Sequence, residues 1–268
     1  YIIQSNGGFG KALQAVAAMG WIGAAVFIAT AAGTLVFPAL GWWILMRGDG
    51  IRISPWTALK ANFMGFPINF VAPSLYLGAE PLKTFYVAHV TGEPKRKILA
   101  TIIVSKFQEI GALLFTMIGA CAIAVWKIQF TRQQTLMLAG SMVVLLAVFV
   151  AGLYMFVGNL KPTVKIINAL AAVFKKRRRK FARLRTRAEE MEHLIHAAFT
   201  KRWKIFVLAQ GVTLFSSVSI LMRPWIYFSF STPPQYTGVE YLCAIYLVTN
   251  LVNLLPHTPG ALGVMEAF

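Results

Sequence analysis

Long stretches without a charged residue constrain this chain more than any other feature. Six of them lie at 12–46, 61–79, 110–126, 133–160, 205–222 and 241–265. A helix that crosses a hydrocarbon core of about 30 Å needs about 20 apolar residues, so each stretch can cover most or all of a bilayer. The mean hydropathy of +0.65 also lies outside the range of soluble domains. The sequence predicts an all-α, polytopic membrane bundle forming a single transmembrane domain over 1–268.

The basic residues are concentrated in one segment. Net charge is +17, and fourteen of the 26 Lys and Arg residues lie in 161–204, including the uninterrupted run 175–180. The positive-inside rule places this segment on the cytoplasmic side. Because it lies between two spans, we expect anionic lipid headgroups rather than nucleic acid as its partner. Apolar residues at near-helical spacing predict an interfacial amphipathic helix there: Phe174, Phe181, Leu184, Met191, Leu194, Ile195 and Phe199.

The stretch 61–79 differs from the others because it contains Pro67 and Pro73. Each proline removes a backbone donor and disturbs a helical turn. Backbone groups freed at membrane depth must be buried in protein or line a wet cavity. We therefore predict that 58–83 enters and leaves the membrane on the cytoplasmic side. Loops 47–60, 83–106 and 161–204 are then all cytoplasmic, and 127–132 is external.

A second break resembles the first. The span that begins at Tyr241 meets Pro256, His257, Pro259 and Gly260. Both breaks have Asn before Pro, then Gly, then Glu seven residues after that Pro: Asn69, Pro73, Gly78 and Glu80; Asn253, Pro259, Gly263 and Glu266. The two elements enter from opposite sides in the predicted topology, which indicates an inverted repeat. Paired interruptions of this kind point to the binding site of a transporter.

Charged residues flank the first break. A charge at the bilayer centre costs about 2.5 to 3.5 kcal/mol even on the mildest scale, so some interaction must offset the charge of a short acidic side chain there. Exposed helix ends can bind an anionic group such as a lipid phosphate. The predicted substrate-binding residues are Asn69, Pro73, Ser74, Gly78, Glu80, Lys83, Lys106, Glu109, Asn253, Pro256, His257, Pro259, Gly260, Gly263 and Glu266. The alternatives are snorkelling lysines, asparagines that bond across helices, and prolines that only kink the chain.

These residues resemble a known family. The segments NFVAPSLYLGAEPLK (69–83) and LPHTPGALGVME (255–266), with WWILMR (42–47), are similar to signatures of the lysylphosphatidylglycerol synthase transmembrane-region family, also called flippase-like. The resemblance covers 21–109 and 205–268. Ala79 and Ala261 occupy positions where the family often has a second Gly, and Ile110 follows Glu109 where Arg is expected.

The resemblance implies a function. The family domain is the membrane half of bacterial multiple peptide resistance factors, where it translocates aminoacylated phosphatidylglycerol, and it also occurs as a stand-alone protein. It implies a stand-alone translocator of a phospholipid between the leaflets of a prokaryotic cytoplasmic membrane, without an aminoacyltransferase domain. The lipid is aminoacylated phosphatidylglycerol or another anionic or zwitterionic species. We also expect both ends to be trimmed from a longer protein.

Other chemistry has weaker support. The chain has one Asp and no Walker-type phosphate loop, which argues against an ATP-driven pump. Glu189, Glu192, His193 and His196 more plausibly balance charge than bind metal, so we expect neither metal nor cofactor. Two rivals to transport remain: a membrane-embedded transferase acting on a lipid or polyprenyl phosphate, with Glu80, Glu109 or Glu266 as base, and a non-catalytic scaffold. A homo-oligomer is left open.

Overall fold

The computed structural model describes residues 14, 17–71, 78–173, 178–230 and 238–253. Helices account for almost all of these residues, and the connections between them are short. In chain order the helices are α1 (Gly20–Gly48), α2 (Pro55–Val71), α3 (Glu80–Thr91), α4 (Lys95–Lys127), α5 (Arg132–Val157), α6 (Pro162–Val173), α7 (Arg178–Thr200), α8 (Trp203–Phe230) and α9 (Val239–Asn253).

Four of these helices are long and apolar enough to cross a membrane: α1, α4, α5 and α8. They contain most of the predicted stretches 12–46, 110–126, 133–160 and 205–222, so the prediction of a polytopic helical membrane bundle is confirmed. α9 covers the first part of the predicted span 241–265, and the remainder lies outside the described residues. Of these four helices α5 is the most exposed, because Met142 is its one buried residue.

The helices α1 and α8 form the most extensive pair. They run antiparallel, since Gly23 faces Phe230 while Gly41 faces Thr213 and Gly48 faces Ile205. A Cβ atom at Gly41 would lie too close to the Thr213 hydroxyl, so only glycine allows this separation. Small residues are the usual means by which membrane helices approach, because lipid is as apolar as a leucine side chain and burial alone gives little attraction.

The helices α2 and α3 form an antiparallel hairpin. Ala58, Ala61, Val87 and Ala88 belong to one buried cluster near the outer ends of the two helices, and Gly65 packs against Ala79 and Lys83 nearer the connection. α3 has only 12 residues, which give a length of about 18 Å and cannot cross a bilayer. The connection 72–77 lies outside the described residues, so re-entry into the membrane remains a prediction.

The connections α1–α2, α3–α4 and α7–α8 lie at the same end of the bundle. Arg202 pairs with Asp49, and Arg96 pairs with Glu190 at 2.7 Å. Gly92 ends α3 with a positive φ of 71°, which allows the chain to reverse within three residues. We call this the basic end, because the N-terminal half of α7 and its arginines lie there. Its assignment to the cytoplasm rests on the positive-inside rule alone.

The segment 83–106, expected as a loop, is largely helical, since most of it belongs to α3 and the first turns of α4. Most of 161–204, the cytoplasmic segment in which a helix was predicted, belongs to α6 and α7. The charge-free stretch therefore marked the start of α4 too late. Lys106 and Glu109 lie in the interior of α4, where they pair with each other. Because the pair neutralises both charges, these two residues do not mark the end of the helix.

The basic helix α7 is amphipathic in an uneven way. Its C-terminal half packs against the bundle through Ile195 and Ala198, with Met191, Leu194 and Phe199 around them. Towards its N-terminus Leu184 is 47% exposed, and Phe174 lies outside the described residues. The packed half fixes the helix against α4, and the basic half projects from the bundle.

Candidate functional site

A cluster of charged and polar side chains lies where the hairpin meets α1 and α4. The hairpin contributes Asn62, Glu80 and Lys83, and α4 contributes Lys106 and Glu109. A small enclosed space is lined by Pro38, Trp42, Asn62, Lys83, Ile102, Ser105, Lys106 and Glu109. Glu80 and Lys83 are buried, with 8% and 5% of their surface exposed. We call Asn62, Glu80, Lys83, Lys106 and Glu109 the charged cluster.

Lys106 is the centre of this cluster. Its Nζ donates to Glu109 Oε2 at 2.7 Å, one turn further along α4, and lies 3.5 Å from Glu80 Oε1 on α3. The second distance brings the charges together without a hydrogen bond. Neither carboxylate oxygen of Glu80 accepts a hydrogen bond in the described part of the chain. Glu80 is therefore a buried acid that an ion pair with Lys106 holds, with no hydrogen bond to its carboxylate among the described residues.

Lys83 has a different partner. Its Nζ donates to Asn62 Oδ1 at 2.7 Å, within the hairpin, rather than to the neighbouring Glu80. The aliphatic part of the lysine lies over Gly65, where a Cβ atom would be 2.5 Å from Lys83 Cε. Asn62 in turn donates from Nδ2 to the Leu35 carbonyl at 2.9 Å. One asparagine thus connects Lys83 of the hairpin to the backbone of α1.

The helix α1 contains Pro38 at this level, which leaves a backbone carbonyl without its helical donor. A proline inside a helix removes the donor to the carbonyl four residues earlier, which is Thr34, and crowds that turn. Ser216 Oγ lies 3.4 Å from the Thr34 carbonyl, and Asn62 serves the adjacent Leu35 carbonyl. Side chains from two other helices therefore satisfy the backbone that Pro38 disturbs, as the apolar surroundings require.

The cluster lies well inside the bundle. At 1.5 Å per residue, Lys106 is about 16 Å and Glu109 about 21 Å from the start of α4 at the basic end. By the same measure Lys83 is about 12 Å from the end of α3. α4 has 33 residues and is about 50 Å long, which exceeds a hydrocarbon core of about 30 Å, and Lys106 and Glu109 lie in its first half. The space between the side chains has room for about one water molecule, so the site is closed to anything larger in this conformation.

Four of the predicted site residues are brought together: Glu80, Lys83, Lys106 and Glu109. Gly78 is half-buried directly before α3. Asn69 and Asn253 lie in the last turns of α2 and α9, and their side chains are not described. The remaining predictions lie outside the described residues: Pro73, Ser74, Pro256, His257, Pro259, Gly260, Gly263 and Glu266.

Sequence reasoning missed Asn62, Ser105 and Pro38. Asn62 lies in the same proline-containing segment as Asn69, so its position in a stretch without charges was an available signal. Pro38 was hidden inside the long stretch 12–46, where it looks like one more apolar residue. Nothing in the spacing of Ser105 distinguishes it from other small polar residues.

The helix α9 runs along α4 towards the basic end. It packs antiparallel to the second half of α4, with Tyr246 bonded to Thr116 and with Leu251 and Leu113 in one cluster. Asn253 lies seven residues after Tyr246, and Glu109 lies seven residues before Thr116, so the direction of α9 leads towards the level of Glu109. The second predicted signature, 255–266, therefore follows a helix that runs towards the level of the first signature.

Comparisons with known proteins agree with the membrane architecture. Residues 5–268 match the family described as "Lysylphosphatidylglycerol synthase TM region". The chain is also 21% identical over 229 residues to a "UPF0104 membrane protein" of Methanothermobacter thermautotrophicus, an alignment that covers 85% of this chain and 68% of that protein. No solved structure matches it significantly. The chain therefore belongs to the lysylphosphatidylglycerol synthase transmembrane-region family of multi-pass membrane proteins.

Proposed function

We propose that this protein translocates a phospholipid between the two leaflets of a prokaryotic cytoplasmic membrane. The observation that carries the proposal is the charged cluster inside an apolar bundle. Two lysines and two glutamates there sum to zero charge, so they offer partners to both signs. Lys83 and Lys106 suit a lipid phosphate, and Glu80 and Glu109 suit an ammonium group. Aminoacylated phosphatidylglycerol and zwitterionic lipids carry both groups.

The energetic task supports this use of the cluster. A headgroup charge that crosses hydrocarbon meets a cost of at least about 2.5 to 3.5 kcal/mol at the centre. A site whose own charges are already paired can exchange one of these pairings for a headgroup. The unused acceptors of Glu80 are the most available point for such an exchange, because no hydrogen bond in the described residues must be broken there.

Movement is required, because the enclosed space has room for about one water molecule. The hairpin α2–α3 is the element we expect to move. Its described link to the acids and lysine of α4 is the 3.5 Å contact between Glu80 and Lys106, whereas the Lys83–Asn62 bond lies within the hairpin. We further propose that Asn69, Pro73 and Ser74, together with 253–266, complete the pathway from the two halves.

The basic half of α7 fits a supporting role. We propose that residues 161–204 lie against anionic headgroups on the cytoplasmic side, where each Lys or Arg adds about 1 kcal/mol of attraction. Loops 47–60 and 83–106 belong to the same side in this proposal. Such attraction would concentrate anionic lipid beside the hairpin.

A liposome assay tests the proposal. Protein is reconstituted into vesicles with fluorescent phosphatidylglycerol, lysyl-phosphatidylglycerol or phosphatidylethanolamine, and dithionite reports the label accessible from outside. Wild type should make the inner-leaflet label accessible. Glu80→Gln and Glu266→Gln should slow exchange while leaving expression and the elution profile unchanged. Glu93→Gln is the matched control, since Glu93 pairs with Lys97 near the basic end, away from the charged cluster.

Lipid exchange at the rate of empty vesicles for all three lipids would contradict the proposal. Full activity in both Glu80→Gln and Glu266→Gln would remove these acids from the mechanism. A soluble dye entrapped in the same preparation shows whether the vesicles remain sealed during the assay.

A second candidate function is favoured by one observation. A buried carboxylate without hydrogen bonds, as in Glu80, is also what a general base in a membrane-embedded transferase would provide. Such an enzyme would act on a lipid or polyprenyl phosphate. Mass spectrometry of the vesicle lipids separates the two functions, because a transferase produces a new lipid species and a translocator leaves the composition unchanged.

A further inference from the structure

A second charged group lies inside the bundle, away from the charged cluster. Arg223 is on α8, about 30 Å along that helix from its start at the basic end. It follows the charge-free stretch 205–222 and precedes Pro224. Ionisable residues within a span are functional-site candidates whose partner has to be identified. For Arg223 the described residues provide only part of that partner.

The observed partner of Arg223 is neutral. Its Nη2 donates to Thr34 Oγ1 at 2.7 Å, across the interface between α8 and α1. The Thr34 hydroxyl donates to the Ala31 carbonyl at 2.7 Å, so its remaining lone pair is directed at the arginine. This arrangement orients the guanidinium without neutralising it.

One other donor of the guanidinium is unsatisfied. Arg223 Nε is buried and has no hydrogen-bond acceptor, and within the described residues no carboxylate lies within ion-pair distance of the side chain. The residue is nevertheless only partly buried, so part of its surface is accessible from outside the bundle. An oriented cation with an unsatisfied donor and accessible surface is arranged to receive an anion.

We propose that Arg223 is a binding site for the phosphodiester of a membrane lipid, separate from the charged cluster. A guanidinium presents donors in a planar fork that matches two phosphate oxygens, and in apolar surroundings such a pair is strong. The role of this site as a station further from the basic end rests on the proposed function. Binding itself does not, and it is tested without any measurement of translocation.

The experiment counts bound lipid. Purified protein is titrated with phosphatidylglycerol or with monogalactosyldiacylglycerol, a phosphate-free lipid of matched acyl chains, and native mass spectrometry resolves each adduct. Arg223→Gln should weaken one phosphatidylglycerol site by about tenfold, the loss of one charge-assisted contact, and leave galactolipid binding unchanged. Arg223→Lys should fall between the two proteins, because it keeps the charge and loses the fork.

Two further variants complete the design. Thr34→Ala releases the guanidinium from its orientation and should weaken the same site less than Arg223→Gln does. Arg132→Gln is the matched control, because Arg132 is exposed at the start of α5 and should leave every adduct unchanged. If Arg223→Gln does not fold, Arg223→Lys and Thr34→Ala decide the question on their own.

Several outcomes would overturn the inference. Unchanged phosphatidylglycerol binding in Arg223→Lys and Thr34→Ala is one. Displacement of the lipid by millimolar inorganic phosphate, with no dependence on acyl chains, would identify a free-phosphate site instead. Equal losses of Tm in Arg223→Gln and Glu266→Gln, non-additive in the double variant and without a change in lipid binding, would identify an internal ion pair. If lipid binding behaves as expected while vesicles show no exchange, the site stands and the proposed function fails.

Discussion

The two halves of α4 show two ways of burying a helix in this bundle. From 98 to 109 the helix buries polar side chains among apolar ones: Thr101, Ser105 and Gln108 lie beside Ile98, Ala100, Ile102 and Val104, and the partly buried Lys106 and Glu109 add charge to this half. From 112 to 124 the buried side chains are apolar and mostly small: Ala112, Leu114, Met117, Ala120, Cys121 and Ala124. The first half faces α1, the hairpin and α8, and the second faces α9 and α5.

Both halves of α4 have lipid as their surroundings, so the difference in buried side chains changes what stabilises each half. Lipid satisfies an apolar side chain about as well as protein does, so the second half is held mainly by close packing. Lipid cannot satisfy an ammonium or a carboxylate, so the first half depends on specific partners. We therefore expect changes of charge in the first half to affect both stability and activity. Changes of size in the second half should affect stability alone.

The largest effect is expected for Lys106→Met. The substitution keeps a long apolar stem and removes the charge that lies 2.7 Å from Glu109 and 3.5 Å from Glu80. Removing one partner of a buried ion pair costs about 3 to 5 kcal/mol, since the remaining charges are left without compensation. Thermal unfolding in nanodiscs should show a large fall in Tm, and lipid exchange in vesicles should be lost.

A double variant separates stability from activity. Lys106→Met with Glu109→Gln removes one charge of each sign, so the cluster is neutral again. Most of the lost Tm should return, while lipid exchange stays absent because a phosphate partner is missing. Wild-type Tm and exchange in the single variant would show that the first half of α4 does not differ from the second in the way we describe.

The next effect in size is expected for Met117→Ala, in the second half. Met117 is fully buried against α9, in a cluster with Tyr246 and Leu247. Truncating a buried methionine leaves a cavity and costs about 2 kcal/mol, the lower end of the range for soluble cores, because lipid lowers the benefit of burial. Tm should fall, and lipid exchange per folded molecule should stay within error of wild type. A selective loss of exchange would place the pathway along α9 as well.

A smaller effect on stability, with a clear effect on activity, is expected for Gly65→Ala. The added methyl group would lie 2.5 Å from Lys83 Cε and 3.0 Å from Ala79 Cβ, so the lysine must move from Asn62. Overpacking of this kind costs about 1 kcal/mol or more. Lipid exchange should slow by more than the change in Tm explains.

Gly119→Ala is the matched control for that substitution. Gly119 lies in the second half of α4, with no atom within 4 Å of an added Cβ. Alanine in an open helical position removes the conformational entropy penalty of glycine, so Tm should stay level or rise slightly. If Gly65→Ala behaves like Gly119→Ala in both assays, the hairpin tolerates displacement of Lys83 and our description of the site is wrong.

The same contrast explains what could be predicted from the sequence. Charge-free stretches identify α1, α4, α5 and α8, because the bilayer imposes the same length and composition on every span. They misplace the start of α4, because a rule that counts single charges does not recognise that Lys106 and Glu109 neutralise each other within the helix. The spacing of Lys106 and Glu109 at i and i+3 is compatible with their contact, since helical geometry brings such residues to one face.

Contacts between helices were beyond such reasoning. The link from Lys83 through Asn62 to the Leu35 carbonyl joins three helices, and no periodicity specifies which faces meet. In the sequence Arg223 marks only the end of a charge-free stretch, because its partner Thr34 is 189 residues away. The position of Glu80, which the described residues hold by an ion pair with Lys106 and not by a hydrogen bond, could not be foreseen either, since it is a property of the packed bundle.

The smallest effect is expected for Tyr246→Phe, which tests the apolar half of the comparison. The Tyr246 hydroxyl and the Thr116 hydroxyl lie 2.7 Å apart, and Thr116 also donates to carbonyls of its own helix, so it keeps a partner when the phenol is removed. Hydrogen bonds between membrane helices are worth about 0.6 kcal/mol on average, so Tm should fall slightly and lipid exchange should not change. Tyr154→Phe, on the exposed face of α5, controls for loss of a hydroxyl alone. A fall in Tm as large as that of Met117→Ala would mean that α9 is held to α4 by a polar contact rather than by packing, and the two halves of α4 would then obey one rule.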